Sequence, residues 1–339
     1  MYRFLLQFTL ICMFASASVA QTKDELRVAD LGRCVLENGQ AIDPCRVGFR
    51  TFGRLNPERK NAVLVPMWFS GKTEQLRPKV GPGNVFDSTK YYIIAVDPFG
   101  NGVSTSPSNS KNQPGKRFPR FTIRDMVRAQ HRLISEVVGL DHLHAIVGIS
   151  MGGMQAFEWA VSYPDFVDKV VPIVGSPQVT SYDLLLWETV IRAIETSQKC
   201  EDCDPVGVFA PLIYLVLQTP EYRVKETPRE GFPRFLKSIT DEERQDFRPE
   251  DLKSQMRAKM VHDVAGPFGG SLEQAAKRVK ADMLIIISAN DHIQRPEPAT
   301  EFARLIAARI VKLDSDCGHF ANDCEAERVA KEVNTFLAR

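Results

Sequence analysis

Short apolar runs alternate with amphipathic segments along most of this chain, and this alternation limits the possible folds more than any other feature. Six runs of three to six residues have the continuous apolar character of strands that are buried on both faces. These runs are Ala62–Val65, Tyr91–Val96, Ala145–Val147, Val170–Val174, Met283–Ile287 and Ile310–Leu313. Strands that alternate with helices pair in parallel, so the sequence predicts an α/β fold with a mostly parallel central sheet flanked by helices.

The segments between and after these runs carry helix signals. Residues Phe121–Leu140 place their apolar side chains on one helical face, and Thr122 with Asp125 has the pattern of a capping box at its start. Pro298–Ala307 has a proline at a helix start, and Glu325–Ala338 has apolar residues at helical spacing. The sequence therefore predicts helices in all three segments.

Residues 179–270 break the alternation, because they are rich in helix formers and charges and contain no clear strand. We interpret them as a helical cap inserted into a core that consists of residues 21–178 and 271–339. The insertion contains two strongly apolar patches, Leu184–Trp187 and Val208–Leu217. Such patches fit either a hydrophobic binding pocket or packing of the cap on the core, and the sequence leaves both interpretations open.

Residues 1–20 have the pattern of a secretory signal peptide. A single positive charge precedes the apolar run Phe4–Phe14, and small residues follow it. Cleavage is expected after Ala20, with Ala17 as the second choice. The alternative is an N-terminal membrane anchor, but the run is interrupted by polar residues and is short for a span. We expect a periplasmic or secreted protein that is not stably inserted in a membrane after cleavage.

Cleavage at Ala20 would remove Cys12 and leave an even number of cysteines, as is usual for a disulfide-bonded exported protein. The six remaining cysteines allow about fifteen sets of three disulfides, so the sequence does not determine the connectivity. The set that joins cysteines close in sequence is Cys34–Cys45, Cys200–Cys203 and Cys317–Cys324. For Cys200-Glu-Asp-Cys203, a redox motif or half of a zinc site are alternatives to a structural disulfide.

A candidate nucleophile lies between a predicted strand and the helix that follows it. The chain has the pattern Gly148-x-Ser150-x-Gly152 directly after the run Ala145–Val147. A serine in this context sits on a tight turn, where small residues on either side let strand and helix approach and leave the hydroxyl accessible. The backbone N–H of Met151 opens the helix and is suited to stabilise an oxyanion. The alternative is a turn that only packs helix on sheet.

A serine hydroxyl needs a base and an orienting acid to become nucleophilic. In strand–turn–helix sites of this kind the acid and then the histidine follow the serine along the chain. Three histidines follow Ser150, namely His262, His292 and His319. His319 comes after the last predicted strand and before the final helix, which makes it the candidate base.

The candidate acid is Asp291, which follows the apolar run Met283–Ile287 at the edge of the sheet where α/β folds carry their chemistry. Its role would be to hold His319 in the correct tautomer. Asp314 and Asp316 are rivals, but they precede His319 too closely to approach it from a neighbouring strand.

A second oxyanion donor is expected in the loop after an early strand. The loop after Ala62–Val65 offers the backbone N–H of Phe69, with that of Trp68 as the alternative. The same loop ends in Gly-Lys-Thr, as a phosphate-binding P-loop does. Proline occupies position 66, where that motif requires glycine, so the P-loop interpretation fails.

The chain resembles the α/β-hydrolase superfamily and, within it, the homoserine O-acetyltransferase family. The resemblance is carried by the segments Asn61–Val65, Val80–Gly83, Phe118–Val127 and Gly148–Ala160. It is specific from about residue 47 to residue 177 and returns more weakly from 271 to 320. It implies a hydrolase-like sheet, a helical cap, and a Ser150, Asp291 and His319 triad that forms an acyl-enzyme. It also places Phe69 at the position of the second oxyanion donor.

Two departures from that family favour hydrolysis over acyl transfer. The family's transferases carry an acid directly after the catalytic histidine, where this chain has Phe320, and their substrate-binding arginine has no clear match in the cap. Acetyl-CoA is moreover a cytoplasmic metabolite, so an exported transferase would lack its acyl donor. The leading hypothesis is an exported esterase-like serine hydrolase. The alternatives are an acyltransferase that uses an acyl-CoA donor, and a non-catalytic binding protein on a hydrolase fold.

The charge balance bears on the partners. Lys and Arg number 43 against 42 Asp and Glu, and a strong nucleic-acid binder would show a basic excess. We therefore expect a small, uncharged acyl substrate and no nucleic acid. We also expect no cofactor and no metal ion. The oligomeric state is open, with a homodimer among the choices.

Two cysteines bracket the candidate base, Cys317 two residues before His319 and Cys324 five residues after it. If they are bonded to each other, the disulfide would limit the movement of the histidine and preorganise the base.

Overall fold

A long twisted sheet forms the centre of the computed structural model, which describes residues 24–339. The predicted signal peptide, residues 1–20, and Cys12 therefore lie outside the described residues. The strands are β1 Arg27–Asp30, β2 Cys34–Val35, β3 Ala41–Ile42, β4 Arg46–Phe52, β5 Ala62–Pro66, β6 Tyr92–Val96, β7 Leu143–Ile149, β8 Val167–Ile173, β9 Asp282–Ser288 and β10 Arg309–Leu313.

Eight of the strands described for residues 24–339 form the sheet in the order β1-β4-β6-β5-β7-β8-β9-β10. From β6 to β10 every pairing is parallel, whereas β1 and β4 are antiparallel to their neighbours. All six apolar runs are strands of this sheet, which confirms the predicted α/β-hydrolase fold. The antiparallel edge was not predicted, because β4 buries polar residues such as Arg50 and Thr51 and so lacks an apolar run.

Helices such as α2 and α11 cover the two faces of the sheet. The α-helices described for residues 24–339 are α1 Ile123–Arg132, α2 Met151–Ser162, α3 Ser181–Ser197, α4 Pro205–Leu217, α5 Pro220–Glu226, α6 Phe232–Arg244, α7 Pro249–Met260, α8 Leu272–Ala276, α9 Glu297–Leu305, α10 Ala321–Cys324 and α11 Ala326–Leu337. The predicted capping box is present at the start of α1, where Thr122 and Asp125 each accept a hydrogen bond from the other's backbone N–H.

Two apolar cores lie on opposite faces of the sheet, because successive strand residues point to opposite sides. In β6, Ile94 and Val96 pack into the core that contains Trp159 of α2, and Ile93 packs into the core that contains Phe336 of α11. The parallel strands are thus buried on both faces, which explains their unbroken apolar sequences.

Helices α3 to α7, here called the cap helices, lie between β8 and β9 in the chain. They pack on one another around Trp187, Phe209 and Met256, and Ile293 from the loop after β9 joins this cluster. The cap helices therefore lie against the loops at the carboxyl ends of the strands. No helix among residues 24–339 combines the length and apolar character needed to cross a bilayer.

Candidate active site

Ser150 occupies the sharp turn between β7 and α2. Its φ of 56° and ψ of −120° lie in a backbone region that L-residues rarely adopt. Hydrogen bonds on both sides hold this conformation, because the Ser150 N–H donates to Ile173 O at 2.8 Å and Ser150 O accepts from the Met154 N–H at 3.0 Å. The strained turn presents the hydroxyl at the edge of the sheet.

The glycines of the motif are required by close backbone contacts. A Cβ on Gly148 would lie 2.0 Å from Gly152 O, and a Cβ on Gly152 would lie 2.2 Å from Pro66 O. Both distances are far below van der Waals contact. The Gly-x-Ser-x-Gly spacing therefore lets α2 start directly over β5 and β7.

The structure brings the three predicted side chains together in one hydrogen-bonded chain. His319 Nε2 lies 2.8 Å from Ser150 Oγ, and His319 Nδ1 lies 2.7 Å from Asp291 Oδ2. All three side chains are nearly buried, with Ser150 7% and His319 6% exposed. A neutral imidazole in this position accepts the serine proton at Nε2 while its Nδ1–H donates to the carboxylate.

Asp291 is fixed by its own loop. Its Oδ1 accepts hydrogen bonds from the backbone N–H groups of Ile293 at 2.7 Å and Gln294 at 2.9 Å, which leaves Oδ2 for His319. Each carboxylate oxygen thus has its own donors, so the carboxyl group cannot rotate without losing hydrogen bonds.

The rival residues lie elsewhere. His262 Nε2 contacts Ser176 O at 3.1 Å, and complete burial lowers the pKa of its imidazole to about 3. Asp314 pairs with Lys312 at 2.9 Å, and the backbone carbonyl of Asp316 accepts hydrogen bonds from Thr219. His319 is the histidine that reaches Ser150 in the described part of the chain.

The two proposed oxyanion donors lie at the junction of β5 and α2. Met151 is the first residue of α2, so its N–H has no acceptor within the helix. Phe69 follows β5, and its ring packs on Trp187 at 5.6 Å between centroids. The buried Gln155 joins the two segments, because its Nε2 donates to Met67 O and to Met151 O at 3.1 Å each.

The loop that carries His319 is held at three points. Cys317 and Cys324 form a disulfide, Gly318 O accepts a hydrogen bond from Ser288 Oγ at 2.7 Å, and Asp316 O accepts one from Thr219 Oγ1 at 2.6 Å. Thr219 caps the start of α5, so the base loop is tied to the cap as well as to the sheet. The other disulfides described are Cys34–Cys45 and Cys200–Cys203, which is the pairing between neighbours in sequence.

We expect the Cys317→Ser/Cys324→Ser double variant to lose about tenfold in kcat, because a freed base loop misplaces the imidazole without removing it. The matched control is Cys200→Ser/Cys203→Ser, which opens the disulfide in the loop between α3 and α4 and should leave kcat unchanged. Steady-state kinetics and circular dichroism of both variants test this. Equal kcat values in the two double variants would show that the Cys317–Cys324 disulfide does not hold His319 in position.

A cavity of about 390 Å³ lies above Ser150 and His319. Its walls combine apolar side chains from both predicted patches with charged groups. The main lining residues are Trp68, Phe69, Trp187, Phe209, Ile213, Tyr214, Leu217, Glu242, Glu243, Asp246, Lys259, Ile293 and Phe320. The apolar patches of the cap therefore contribute to the cavity as well as to packing.

Sequence reasoning missed three residues of this site. Gln155, Thr219 and Lys259 are polar residues whose side chains contact other segments of the chain. A glutamine four residues after Met151 on the same helix face was a visible signal for Gln155. Thr219 and Lys259 gave no such signal, because their roles depend on how the cap packs.

Comparisons with known proteins place the chain among α/β hydrolases. The alpha/beta hydrolase fold family matches residues 78–194. The ethyl acetate hydrolase of Pseudomonas veronii is 31% identical, with 87% of this chain and 90% of that protein covered. The homoserine O-acetyltransferase of Geotalea daltonii is 27% identical, with 90% and 94% covered. A solved acetylester hydrolase from Corynebacterium glutamicum superposes with a TM-score of 0.85 at 26% identity, with 93% and 96% covered.

The chain therefore belongs to the α/β-hydrolase family. Its resemblance to homoserine O-acetyltransferases is confirmed, and esterases are among its relatives. The protein is accordingly an α/β-hydrolase enzyme that acts on esters or acyl groups, which argues against a non-catalytic binding protein.

Proposed function

We propose that the protein is an exported serine hydrolase that cleaves a small acyl ester through an acyl-enzyme. The observation that carries the proposal is the continuous hydrogen-bonded chain from Asp291 through His319 to Ser150 at the base of the cavity. In this proposal residues 179–270 act as the cap and supply much of the cavity wall.

In the first half of the reaction, Ser150 Oγ attacks the ester carbonyl while His319 Nε2 takes its proton. The tetrahedral oxyanion accepts hydrogen bonds from the N–H groups of Met151 and Phe69. His319 then donates the proton to the leaving alcohol as the acyl-enzyme forms. In the second half, His319 activates a water that attacks the acyl-enzyme, and Ser150 is released with the acid product.

Hydrolysis is favoured over acyl transfer by the residue after the base. Phe320 lines the cavity there, where the transferases that this chain resembles carry an acid for their acceptor's amino group. Acyl transfer is the second candidate function, and it is supported by the homoserine O-acetyltransferase relatives. The two functions share the acyl-enzyme and differ in whether water or an alcohol resolves it.

The proposed compartment is the periplasm or the extracellular space. The disulfides Cys34–Cys45, Cys200–Cys203 and Cys317–Cys324 support it, because disulfides persist in oxidising compartments. The signal-peptide pattern at residues 1–20 agrees with it.

A chain-length series of aryl esters, run beside acetyl-CoA with homoserine as acceptor, separates the two functions. We expect hydrolysis with the highest kcat/KM for short acyl chains, because the cavity of about 390 Å³ must also hold the alcohol portion. We expect no acetyl transfer from acetyl-CoA. Transfer to homoserine at a rate above that of ester hydrolysis would replace the first function with the second.

A further inference from the structure

Lys259 is a buried cation on the wall of the active-site cavity. It is the penultimate residue of α7, its side chain is 1% exposed, and it lines the same cavity as Ser150 and His319. Its Nζ lies 3.7 Å from the ring centroid of Trp187 and 5.4 Å from that of Phe69. The amine therefore lies between the cap and the proposed oxyanion loop.

Among residues 24–339, the Nζ of Lys259 has neither a hydrogen-bond partner nor an ion pair. Lys253 on the same helix differs from Lys259 in having partners for its Nζ. Lys253 is equally buried, but its Nζ lies 2.8 Å from Glu250 Oε1 and 2.8 Å from Gln198 Oε1. A buried charge without a partner is costly, and a cation–π contact offsets only part of that cost.

The two carboxylates whose charges act on Lys259 are engaged by other donors. Asp183 accepts hydrogen bonds from the N–H and hydroxyl of Thr180, and Asp291 accepts them from His319 and from its own loop. Burial accordingly lowers the pKa of the Lys259 ammonium to about 7, although both carboxylates act to raise it.

We propose that Lys259 is the recognition group for a carboxylate on the substrate, so that the enzyme prefers esters that carry an anionic oxygen on the acyl or the alcohol portion. This inference rests on the proposed hydrolase function. A carboxylate bound in the cavity would supply the hydrogen bond and the countercharge that Lys259 lacks. A charge-assisted hydrogen bond formed away from water is stronger than one between neutral groups.

The charged and titratable groups around the site decide how the preference depends on pH. On the elements near Lys259 they are Asp183 on α3, Glu242 and Glu243 on α6, Asp246 after α6, Asp291 and Arg295 after β9, and His319 on the base loop. Lys79, Tyr214 and Asp323 also line the cavity. Burial raises the pKa of Glu243 to about 7. As the pH rises above 7, Lys259 loses its charge and Glu243 gains one, and both changes weaken binding of an anion.

Matched ester pairs test the proposal. On the acyl side, monoethyl succinate is compared with ethyl succinamate, and on the alcohol side O-acetylglycolate is compared with O-acetylglycolamide. Each pair differs by a carboxylate against a carboxamide of similar shape. We expect kcat/KM for the carboxylate to exceed that for the carboxamide on one of the two sides, and that side identifies the portion that Lys259 binds.

Lys259→Met should lower that ratio about 30-fold, because it keeps the length of the side chain and removes the charge and the donors. Lys259→Arg should retain the preference.

The wild-type ratio should fall by up to about tenfold per pH unit above 7 as Lys259 titrates. In Lys259→Arg the part of this fall that Lys259 causes should vanish, since arginine stays charged, and any remaining fall belongs to Glu243.

A readout that needs no variant protects the test against misfolding. The anionic product from the preferred side, succinate or glycolate, should inhibit the hydrolysis of a neutral aryl ester by wild-type enzyme more strongly than its amide, succinamate or glycolamide, does. A carboxylate-to-carboxamide ratio that is the same in wild type and in a folded Lys259→Met, or equal inhibition by acids and amides, would overturn the proposal. Ser150-dependent hydrolysis of the neutral aryl ester would still support the hydrolase function in that case, and its absence would instead refute the function itself.

Discussion

Ser150→Ala is expected to lower kcat/KM for ester hydrolysis by about 10⁴-fold or more, the loss typical when the nucleophile of such a triad is removed. Alanine lacks the Oγ that lies 2.8 Å from His319 Nε2, so no acyl-enzyme can form. The remaining activity would come from the oxyanion donors and from water activated by His319. Steady-state kinetics with aryl esters measure the loss, and mass spectrometry after treatment with a fluorophosphonate measures labelling of the serine.

The matched control for this variant is Ser197→Ala, which also removes a buried hydroxyl. Ser197 lies at the end of α3 and donates to Ile194 O at 2.9 Å, away from the proposed reaction. It should retain activity and fluorophosphonate labelling. Hydrolysis by Ser150→Ala within tenfold of the wild-type rate would show that another group carries the reaction.

Asp291→Asn is expected to lower kcat by about 10⁴-fold while leaving the fold intact. Two backbone N–H groups donate to Oδ1, so the asparagine must keep its oxygen there and turn its NH₂ towards His319 Nδ1. Nδ1 must then accept a hydrogen bond, which forces the proton onto Nε2. A histidine in that tautomer cannot accept the proton of Ser150.

The tautomer itself is the readout for this prediction. The imidazole Nδ1–H proton resonance of wild-type His319, hydrogen-bonded to Asp291, should disappear in Asp291→Asn. Asp125→Asn is the control, because it changes an equally buried carboxylate that caps α1 on another part of the molecule. Loss of activity with the Nδ1–H resonance retained would contradict the orienting role.

The sequence alone predicted the features that depend on local pattern. Parallel strands that are buried on both faces have unbroken apolar runs, so the sequence predicted the six strands β5 to β10. The turn at Ser150 needs glycines on either side of it, and that requirement appears as a motif. The chain order of Ser150, Asp291 and His319 follows from the succession of strands, since each residue lies beyond the end of its own strand. The sequence also offered the disulfides between neighbouring cysteines as one choice, although it left the connectivity open.

Only the tertiary structure showed the contacts between distant segments. The tie between Thr219 and the base loop, and the bridge that Gln155 makes to Met67, join residues that periodicity cannot relate. Lys259 appeared in the sequence as one of many charged residues on a helix. Lys259 is buried against Trp187 because α7 packs on α3 beside the cavity, and no hydrogen-bond acceptor among the described residues reaches its Nζ there.

The sequence thus determined the fold and the candidate nucleophile, base and acid, because backbone geometry demands particular residue types at fixed spacings. The tertiary structure determined the shape and the charge of the cavity. Those properties depend on which side chains the cap brings over Ser150, and a buried charge differs from an exposed one only through its three-dimensional surroundings.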